Sequence, residues 1–379
     1  MILPGNTLGL LGGGQLGRMF TSAARRMGYD VIVLDPDPTS PAAHFATEHI
    51  CADFHDQKAL EQLAQRCAAV TTEFENPPAE SLAWLANRLP VRPGASAVAI
   101  AQDRIREKSF FAENGFPVGA FAIIQNETVF EAIGHAVRFP AILKTARFGY
   151  DGKGQARVAS IDAARECFQS WRGVPCVLEQ LLPLKLEVSV VLARGIDGEI
   201  ATFPVVENQH QNGILDVSIA PARISAALAT HAQDIGQRLA MKLAYCGVLA
   251  VEFFVIDDEN GNEKLLINEI APRPHNSGHF TIDACRTSQF EQQVRALCGL
   301  PLAPTTQHTP AVMVNLLGDV WKNNVLASER ILSEPNVKLH LYGKRDARDG
   351  RKMGHYTVLG EDVPSALKLA TDIKHRLVK

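Results

Sequence analysis

The stretch Gly247-Val-Leu-Ala-Val-Glu-Phe-Phe-Val-Ile256, followed by Leu265-Leu-Ile-Asn-Glu-Ile270, decides how this chain is read. Both runs are apolar enough for buried strands, and Asn260-Gly261 between them is the strongest short hairpin signal. Each run nevertheless carries an acidic residue. With Asn260-Gly261 as a two-residue turn, the register sets Glu252 opposite Glu269, Cβ atoms about 4.5–5.5 Å apart. Two carboxylates opposed in an apolar setting repel, and a divalent cation compensates them. Oxygen-only ligands favour magnesium over zinc. The pattern also fits a glutamate paired with lysine or arginine, or a register slip that parts the two carboxylates.

Upstream, the first hundred residues alternate strand and helix. Thr7–Leu11, Val31–Asp35, His49–Ala52 and Ala69–Thr72 read as short buried strands, separated by helical patterns at Leu16–Met27, Asp56–Cys67 and Pro78–Leu89. Such alternation predicts an open parallel, Rossmann-like sheet. Leu89-Pro-Val-Arg-Pro-Gly94 ends it, so the first unit is 1–100. From Gln102 the order becomes α+β. A helix at Asp103–Asn114 leads to strands at Ala120–Gln125, Ala141–Lys144, Cys176–Gln180, Glu187–Arg194 and Glu199–Val206. A helix at Leu228–Tyr245 then precedes the decisive hairpin. This second unit spans 101–300, and 301–379 forms a small third unit ending in a helix near Ser365–Leu377. The fold class is therefore α/β and α+β together.

Composition narrows the function. The chain has 379 residues, 46% hydrophobic and 21% charged, which fits two or three globular domains at about 150 residues each. A net charge of −3 excludes nucleic-acid binding through bulk electrostatics. The seven cysteines are odd in number and include no Cys-x-x-Cys, which reads as free thiols in a reducing compartment. The amino terminus lacks the basic region of a secretory signal, and no apolar window is long enough to span a membrane. A cytoplasmic enzyme is expected.

Several motifs could carry chemistry. Gly12-Gly-Gly14-Gln-Leu-Gly17 follows a strand and opens a helix, with Asp35 eighteen residues beyond Gly17. That matches the dinucleotide fingerprint, although any tight strand-to-helix turn also needs glycine. Lys144 ends a strand before Phe148-Gly-Tyr-Asp-Gly-Lys-Gly154, whose glycines permit close approach of backbone to phosphate, as in a closing lid or a plain hairpin tip. Glu179-Gln-Leu-Leu-Pro183 and Glu187 flank a short link that could recognise a base. Arg273-Pro-His-Asn-Ser-Gly-His279 reads as a polar substrate loop; Pro274 and Gly278 argue against a helical zinc pair of His275 and His279. Lys344, Arg345, Arg348, Arg351 and Lys352 place five cations in nine residues, a solvated run or a phosphate pocket.

Taken together, Lys144, the 149–154 loop, Glu179–Leu182, Glu187, Glu252 and Asn268-Glu269 resemble the ATP-grasp superfamily. Within it, the chain is similar to the N5-carboxyaminoimidazole ribonucleotide synthetases of purine biosynthesis. The stretches that carry this are Gly-Gly-Gly-Gln-Leu-Gly-Arg-Met (12–19), Glu-Phe-Glu-Asn (73–76), Gln-Asp-Arg (102–104), Glu-Asn-Gln-His (207–210), Asn-Glu-Ile-Ala-Pro-Arg-Pro-His-Asn-Ser-Gly-His (268–279), Tyr-Gly-Lys (342–344) and Arg-Lys-Met-Gly-His (351–355). Thr72 departs from the aromatic residue expected before Glu73.

The resemblance implies a Rossmann-like domain, an ATP-grasp core with a mobile lid over about 118–185, and a small C-terminal domain. It implies a ligase reaction in which ATP, bicarbonate and 5-aminoimidazole ribonucleotide give the N5-carboxylated product through carboxyphosphate. Carried over, Arg104, Lys144, Gly149, Tyr150, Asp151, Gly152, Lys153, Gly154 and Gln155 hold phosphates, with Lys144 and Lys153 also catalytic. Glu179, Gln180, Leu181, Leu182, Glu187 and His210 grip the nucleoside. Glu252 and Glu269 bind Mg2+, with Asn268 beside them. Arg273 and His275 act on the carboxyphosphate. Gln15, Glu73, Asn76, Tyr150, Asp151, Asn276, Ser277, Lys344, Arg351 and Lys352 line the ribonucleotide pocket with them. A homodimer is implied, with no nucleic-acid or membrane partner. The rivals are a sister ligase such as formate-dependent glycinamide ribonucleotide transformylase, a nicotinamide oxidoreductase built on Gly12–Gly17, and a non-catalytic nucleotide-binding module.

Overall fold

Three hydrogen-bonded sheets follow one another along the chain. The computed structural model describes residues 1–378 except Glu75, Gly134, His135, Phe148, Tyr150–Lys153 and Lys322–Asn324. Strands β1 (Thr7–Leu11), β2 (Asp30–Leu34), β3 (Glu48–Ile50) and β4 (Ala69–Thr72) form a parallel sheet in the order β3-β2-β1-β4. Alternate residues face opposite sides, and both sides are covered. Leu11, Ile32, Leu34 and Val70 pack on Leu60, Leu63, Leu82 and Leu85 of the following helices. Leu8, Leu10, Val31 and Val33 pack on Phe20 and Ala24, and also on Phe290, Val294 and Leu297. Those last residues belong to the helix Gln289–Cys298, far down the chain.

The second sheet is antiparallel: β5 (Phe121–Ile124), β6 (Ala141–Thr145), β7 (Gln155–Val158) and β8 (Cys176–Gln180), ordered β5-β8-β6-β7. The third holds β9 (Leu186–Arg194), β10 (Ile200–Thr202), β11 (Val206–Gln211), β12 (Ile214–Ala220), β13 (Gly247–Asp257), β14 (Glu263–Ala271), β15 (Ala311–Leu317), β16 (Val337–Leu341) and β17 (Lys352–Leu359). Its order is β14-β13-β9-β11-β12-β15-β17-β16, with β10 on the β9 edge. The ladder crosses from β12 into β15, so the C-terminal strands extend the central sheet. They still bury a core of their own, in which Val312, Val314, Tyr356 and Val358 meet Ala370, Ile373 and Leu377 of the last helix.

Two hairpins differ from the sequence expectation. The strand expected over 199–206 stops at Thr202, because Pro204 lacks the donor a ladder needs. The next strands, β11 and β12, turn at Asn212-Gly213, both with positive φ (52° and 77°), a type I′ hairpin that the sequence reading passed over. The Asn260-Gly261 end, by contrast, is not a two-residue turn. Asp258 accepts from the amides of Asn260 and Asn262, and Val255 pairs with Leu265 instead of Leu266. A bulge at Asn268 takes up this one-residue offset, so Glu252 still opposes Glu269.

All seven cysteines are free thiols, and no described helix is long and apolar enough to cross a membrane. Beneath β16 and β17 lies a histidine stack. His340 and His355 are cross-strand neighbours with ring centroids 4.6 Å apart, and His279 lies 4.8 Å from His355. The Tyr342 hydroxyl is 2.9 Å from His355 Nδ1, and His340 Nε2 is 2.8 Å from Asp283. Burial pushes His279 and His355 well below the ordinary 6.5, and the histidines beside them, with Lys352 and Arg273 in the case of His279, add to the shift. Both stay neutral when folded and charge when unfolded. Their contribution to stability is therefore present above about pH 6.5 and lost as the pH falls below it, at up to about 1.4 kcal/mol per pH unit for each. Melting temperatures measured from about pH 7 to pH 5.5 should fall, and His355→Gln should flatten that slope. A slope unchanged by the substitution would place the acid sensitivity elsewhere.

Candidate active site

Strand β1 runs into Gly12-Gly13-Gly14 and the helix Gln15–Arg26, the geometry expected of a phosphate cradle. Its amides are already engaged by the protein's own carboxylates. Gly14 and Gly17 donate to the two oxygens of Glu73 at 2.5 and 2.6 Å, and Gly13 donates to Asp35 at 2.6 Å. A Cβ on Gly14 would lie 2.4 Å from Glu73 Oε1, and one on Gly13 2.4 Å from Ser40 Oγ. The glycines thus admit buried side chains, and Glu73 supplies the negative charge that the helix terminus attracts. Burial raises the Glu73 pKa, and the two amides oppose the rise.

Beside this turn lies a cavity of about 590 Å³ whose walls include Gln15, Lys344, Arg348, Arg351 and Lys352. Lys344 Nζ donates to Gln15 Oε1 and to the Lys352 carbonyl, each at 2.7 Å, which ties the C-terminal basic segment to the first helix. A second cavity, about 360 Å³, lies between the second and third sheets. Arg104, Lys144, Gly149 and Gln155 line one side of it, Glu187 and His210 another, and Glu252, Asn268 and Glu269 its floor. Arg273, His275, Asn276 and Lys352 line both cavities. The two spaces therefore meet at one loop.

The floor is a balanced charge cluster. Arg104 bridges Glu269 at 2.9 Å, and His275 Nε2 lies 3.0 Å from Glu252. Lys144 and Lys108 flank Glu179 at 3.1 and 3.2 Å, and Lys108 also donates to the Asn268 carbonyl at 2.9 Å. Burial alone would raise the Glu269 carboxyl, but Arg104 and Lys144 overcome it and hold the pKa at about 2. Glu107, buried nearby, accepts the Ile270 amide at 2.8 Å; burial, with Glu269 adding, pushes it up to about 8. Burial lowers the Lys144 pKa against the pull of Glu179. At the far wall, burial disfavours charge on His210, yet Glu187, 3.1 Å away, raises its pKa overall.

Because Asn268 is the bulge residue, it and Glu269 together oppose Glu252, and all three line the cavity. Asn268 Oδ1 is buried with no hydrogen-bond partner among the described residues. Two opposed carboxylates and an orphaned amide oxygen are a donor set that fits a hard divalent cation completed by phosphate oxygens.

The ribonucleotide synthetase preATP-grasp domain family matches residues 5–102, the ATP-grasp domain family 109–290, and the phosphoribosylaminoimidazole carboxylase C-terminal domain family 311–369. N5-carboxyaminoimidazole ribonucleotide synthase of Brucella melitensis biotype 1 is 45% identical over 357 residues, 93% of this chain and 96% of the relative. A crystal structure of an N5-carboxyaminoimidazole ribonucleotide synthetase with ADP superposes with a TM-score of 0.90 at 42% identity, covering 99% of this chain and 97% of the other. The Aspergillus clavatus synthase, in complex with ADP and 5-aminoimidazole ribonucleotide, gives 0.88 at 31% identity, covering 98% and 99%. This chain belongs to the N5-carboxyaminoimidazole ribonucleotide synthetase family.

Set against the family pattern, the sequence-derived residues fall into three groups. Gln15, Arg273, His275, Asn276, Lys344, Arg351 and Lys352 converge on the first cavity, and Arg104, Lys144, Gly149, Gln155, Glu187, His210, Glu252, Asn268 and Glu269 on the second. Tyr150, Asp151, Gly152 and Lys153 lie outside the described residues. The rest are placed as follows. Asn76 lines the second cavity, not the first. Glu73 lines the first, but its carboxylate oxygens cap the helix. Ser277 is fully buried and bonds to Ser189 and His275 instead of forming wall. Glu179 is held by two lysines, while the Gln180 and Leu181 amides donate to Ala120 and Pro140; neither these residues nor Leu182 line the cavity, and Leu184 does so instead. The Gly154 carbonyl accepts from Thr145, closing the β6–β7 ladder.

Glu107, Lys108, Gly213, Leu215 and Gln289 went unnoticed in the sequence. Asn212-Gly213 was a usable turn signal; Glu107, Lys108 and Gln289 sit on ordinary helices with no local mark. Glu73→Ala should strand two buried amide donors and cost about 2–4 kcal/mol of unfolding free energy in a urea titration. A loss under about 0.5 kcal/mol would show that solvent satisfies those amides without Glu73.

Proposed function

We propose that this chain is an ATP-dependent ligase that carboxylates 5-aminoimidazole ribonucleotide with bicarbonate, releasing ADP and phosphate. The observation that carries the reading is the shared wall. A cation-lined pocket suited to a phosphorylated substrate and a carboxylate-floored pocket suited to a metal–nucleotide meet at Arg273, His275 and Asn276. An intermediate made in one can be consumed in the other without crossing solvent.

In this proposal Arg104, Lys144, the 149–154 loop and Gln155 hold the phosphates. Leu184, Glu187 and His210 face the nucleoside. Glu252, Asn268 and Glu269 hold magnesium, which when bound offsets charge on the transferring phosphoryl group. A bicarbonate oxygen attacks the γ-phosphorus and the β–γ bridge breaks, giving carboxyphosphate and ADP. The exocyclic amine then forms the N–C bond, the C–O bond to phosphate breaks, and the amine proton leaves. Arg273 and His275 stabilise the anionic carboxyl group between the cavities. Lys344, Arg348, Arg351 and Lys352 receive the 5′-phosphate. The same proposal divides the chain at about residues 100 and 300, with a lid over 118–185, and takes the enzyme as a cytoplasmic homodimer, as the family resemblance implies.

A coupled ADP-release assay should show turnover that requires the aminoimidazole ribonucleotide and bicarbonate together. Turnover with formate and glycinamide ribonucleotide would favour the sister ligase. Glu269→Gln should lower turnover about a hundred-fold or more at saturating magnesium, with the far-ultraviolet dichroism unchanged; activity within a few-fold of wild type would remove Glu269 from the metal site. Arg351 lines only the first cavity, so Arg351→Ala should raise KM for the ribonucleotide about ten-fold and leave KM for ATP within about two-fold. A rise confined to ATP would relocate the phosphate pocket.

A further inference from the structure

A single buried hydrogen-bond chain crosses the central sheet and ends on His275. Ser218 on β12 donates to Asn208 Oδ1 on β11 at 3.0 Å. Asn208 Nδ2 donates to Ser189 Oγ on β9 at 2.9 Å, and Ser189 Oγ lies 2.7 Å from Ser277 Oγ. Ser277 Oγ lies 2.9 Å from His275 Nδ1, and His275 Nε2 lies 3.0 Å from Glu252 on β13. Ser189, Ser218 and Ser277 have no solvent exposure, and Asn208 is 5% exposed. Glu252 is the ladder partner of Ser189, so the chain starts on one strand of the sheet and returns to it three strands away.

One backbone contact orients the chain. The Ser277 backbone amide lies 3.3 Å from His275 Nδ1, and an amide N–H can only donate, so Nδ1 is an acceptor. A neutral imidazole carries one N–H, so with Nδ1 accepting the proton sits on Nε2, which faces Glu252. The Ser277 hydroxyl therefore donates to Nδ1 and accepts from Ser189, whose oxygen accepts from Asn208, whose carbonyl accepts from Ser218. Reversing any one bond would leave Nδ1 without the hydroxyl donor or place two donors face to face.

We propose that Ser277, Ser189, Asn208 and Ser218 are positioning residues that lock His275 as the imidazole protonated on Nε2, so that it meets the reactants as a hydrogen-bond donor and not as a base. The lock acts on the Nδ1 side and involves no bond to Glu252. The donor's target, the anionic carboxyl group, rests on the carboxylation reading above; the tautomer does not. A fixed donor aimed at developing negative charge needs no reorganisation at the moment of reaction.

Long-range proton–nitrogen correlation spectra of the full-length protein labelled with 15N-histidine test this, with His275 assigned by difference against His275→Asn. The wild type should show a pyridine-type Nδ1 and a pyrrole-type Nε2. Ser277→Ala keeps the 3.3 Å backbone amide but removes the shorter hydroxyl bond, so it should shift His275 part-way toward the other tautomer and lower kcat about ten- to a hundred-fold, with KM for ATP within about two-fold. Ser189→Ala, which leaves Ser277 in place, should do the same to a smaller degree and serves if Ser277→Ala does not fold. A pyrrole-type Nδ1 in the wild type overturns the proposal. So does a Ser277→Ala enzyme that keeps the tautomer, or one that loses it at full kcat. If the enzyme fails to carboxylate the ribonucleotide while the tautomer holds, the functional reading falls and the lock stands.

Discussion

The side-chain amide of Gln289 grips the backbone of His275 from both sides, accepting from its N–H at 2.9 Å and donating to its C=O at 2.7 Å. Gln289 has no solvent exposure, so these bonds have no competitor, and breaking them would strand buried polar groups. The same helix presents Phe290, Val294 and Leu297 to the N-terminal sheet, while Gln293 joins Thr71 of β4 to Val248 of β13. One helix thus fixes the N-terminal sheet, the central sheet and the 273–276 loop in a common frame. The shared wall between the two cavities depends on that frame.

Within it, environment sorts like groups into unlike states. Glu269 and Glu107 lie in the same cavity and influence each other, yet Arg104 and Lys144 hold the first ionised while burial drives the second toward neutrality near physiological pH. The opposed pair expected to require a metal has protein partners in the structure, Arg104 as an ion pair to Glu269 and His275 as a hydrogen-bond donor to Glu252. These partners lower the repulsion that would otherwise build up before a cation arrives, and they line the cavity the nucleotide would enter.

The glycine-rich turn shows why a motif and its occupant are separate questions. Gly12–Gly17 has the spacing, the preceding strand and the following helix of a dinucleotide site. What occupies the turn's amides is a carboxylate 56 residues away in sequence, brought to the Gly17 amide by the neighbouring strand β4. A helix terminus attracts negative charge from any source, and here the chain supplies its own.

Much of this was legible in the linear chain, because strand alternation and helical periodicity are local properties. The parallel sheet, the antiparallel core and the acidic residue inside each of two apolar strands follow from burial patterns a few residues long. The opposition of Glu252 and Glu269 was legible only in outcome: the turn differs from the expected one, and the bulge at Asn268 restores the pairing. What the local pattern could not contain is the set of partners. Gly17 to Glu73, Gln293 to Thr71 across 222 residues, and the relay from Ser218 to His275 each join positions with no shared periodicity. Such contacts form when packed layers leave a buried donor beside a buried acceptor, and that juxtaposition exists only once the sheets and the Gln289 helix are in place.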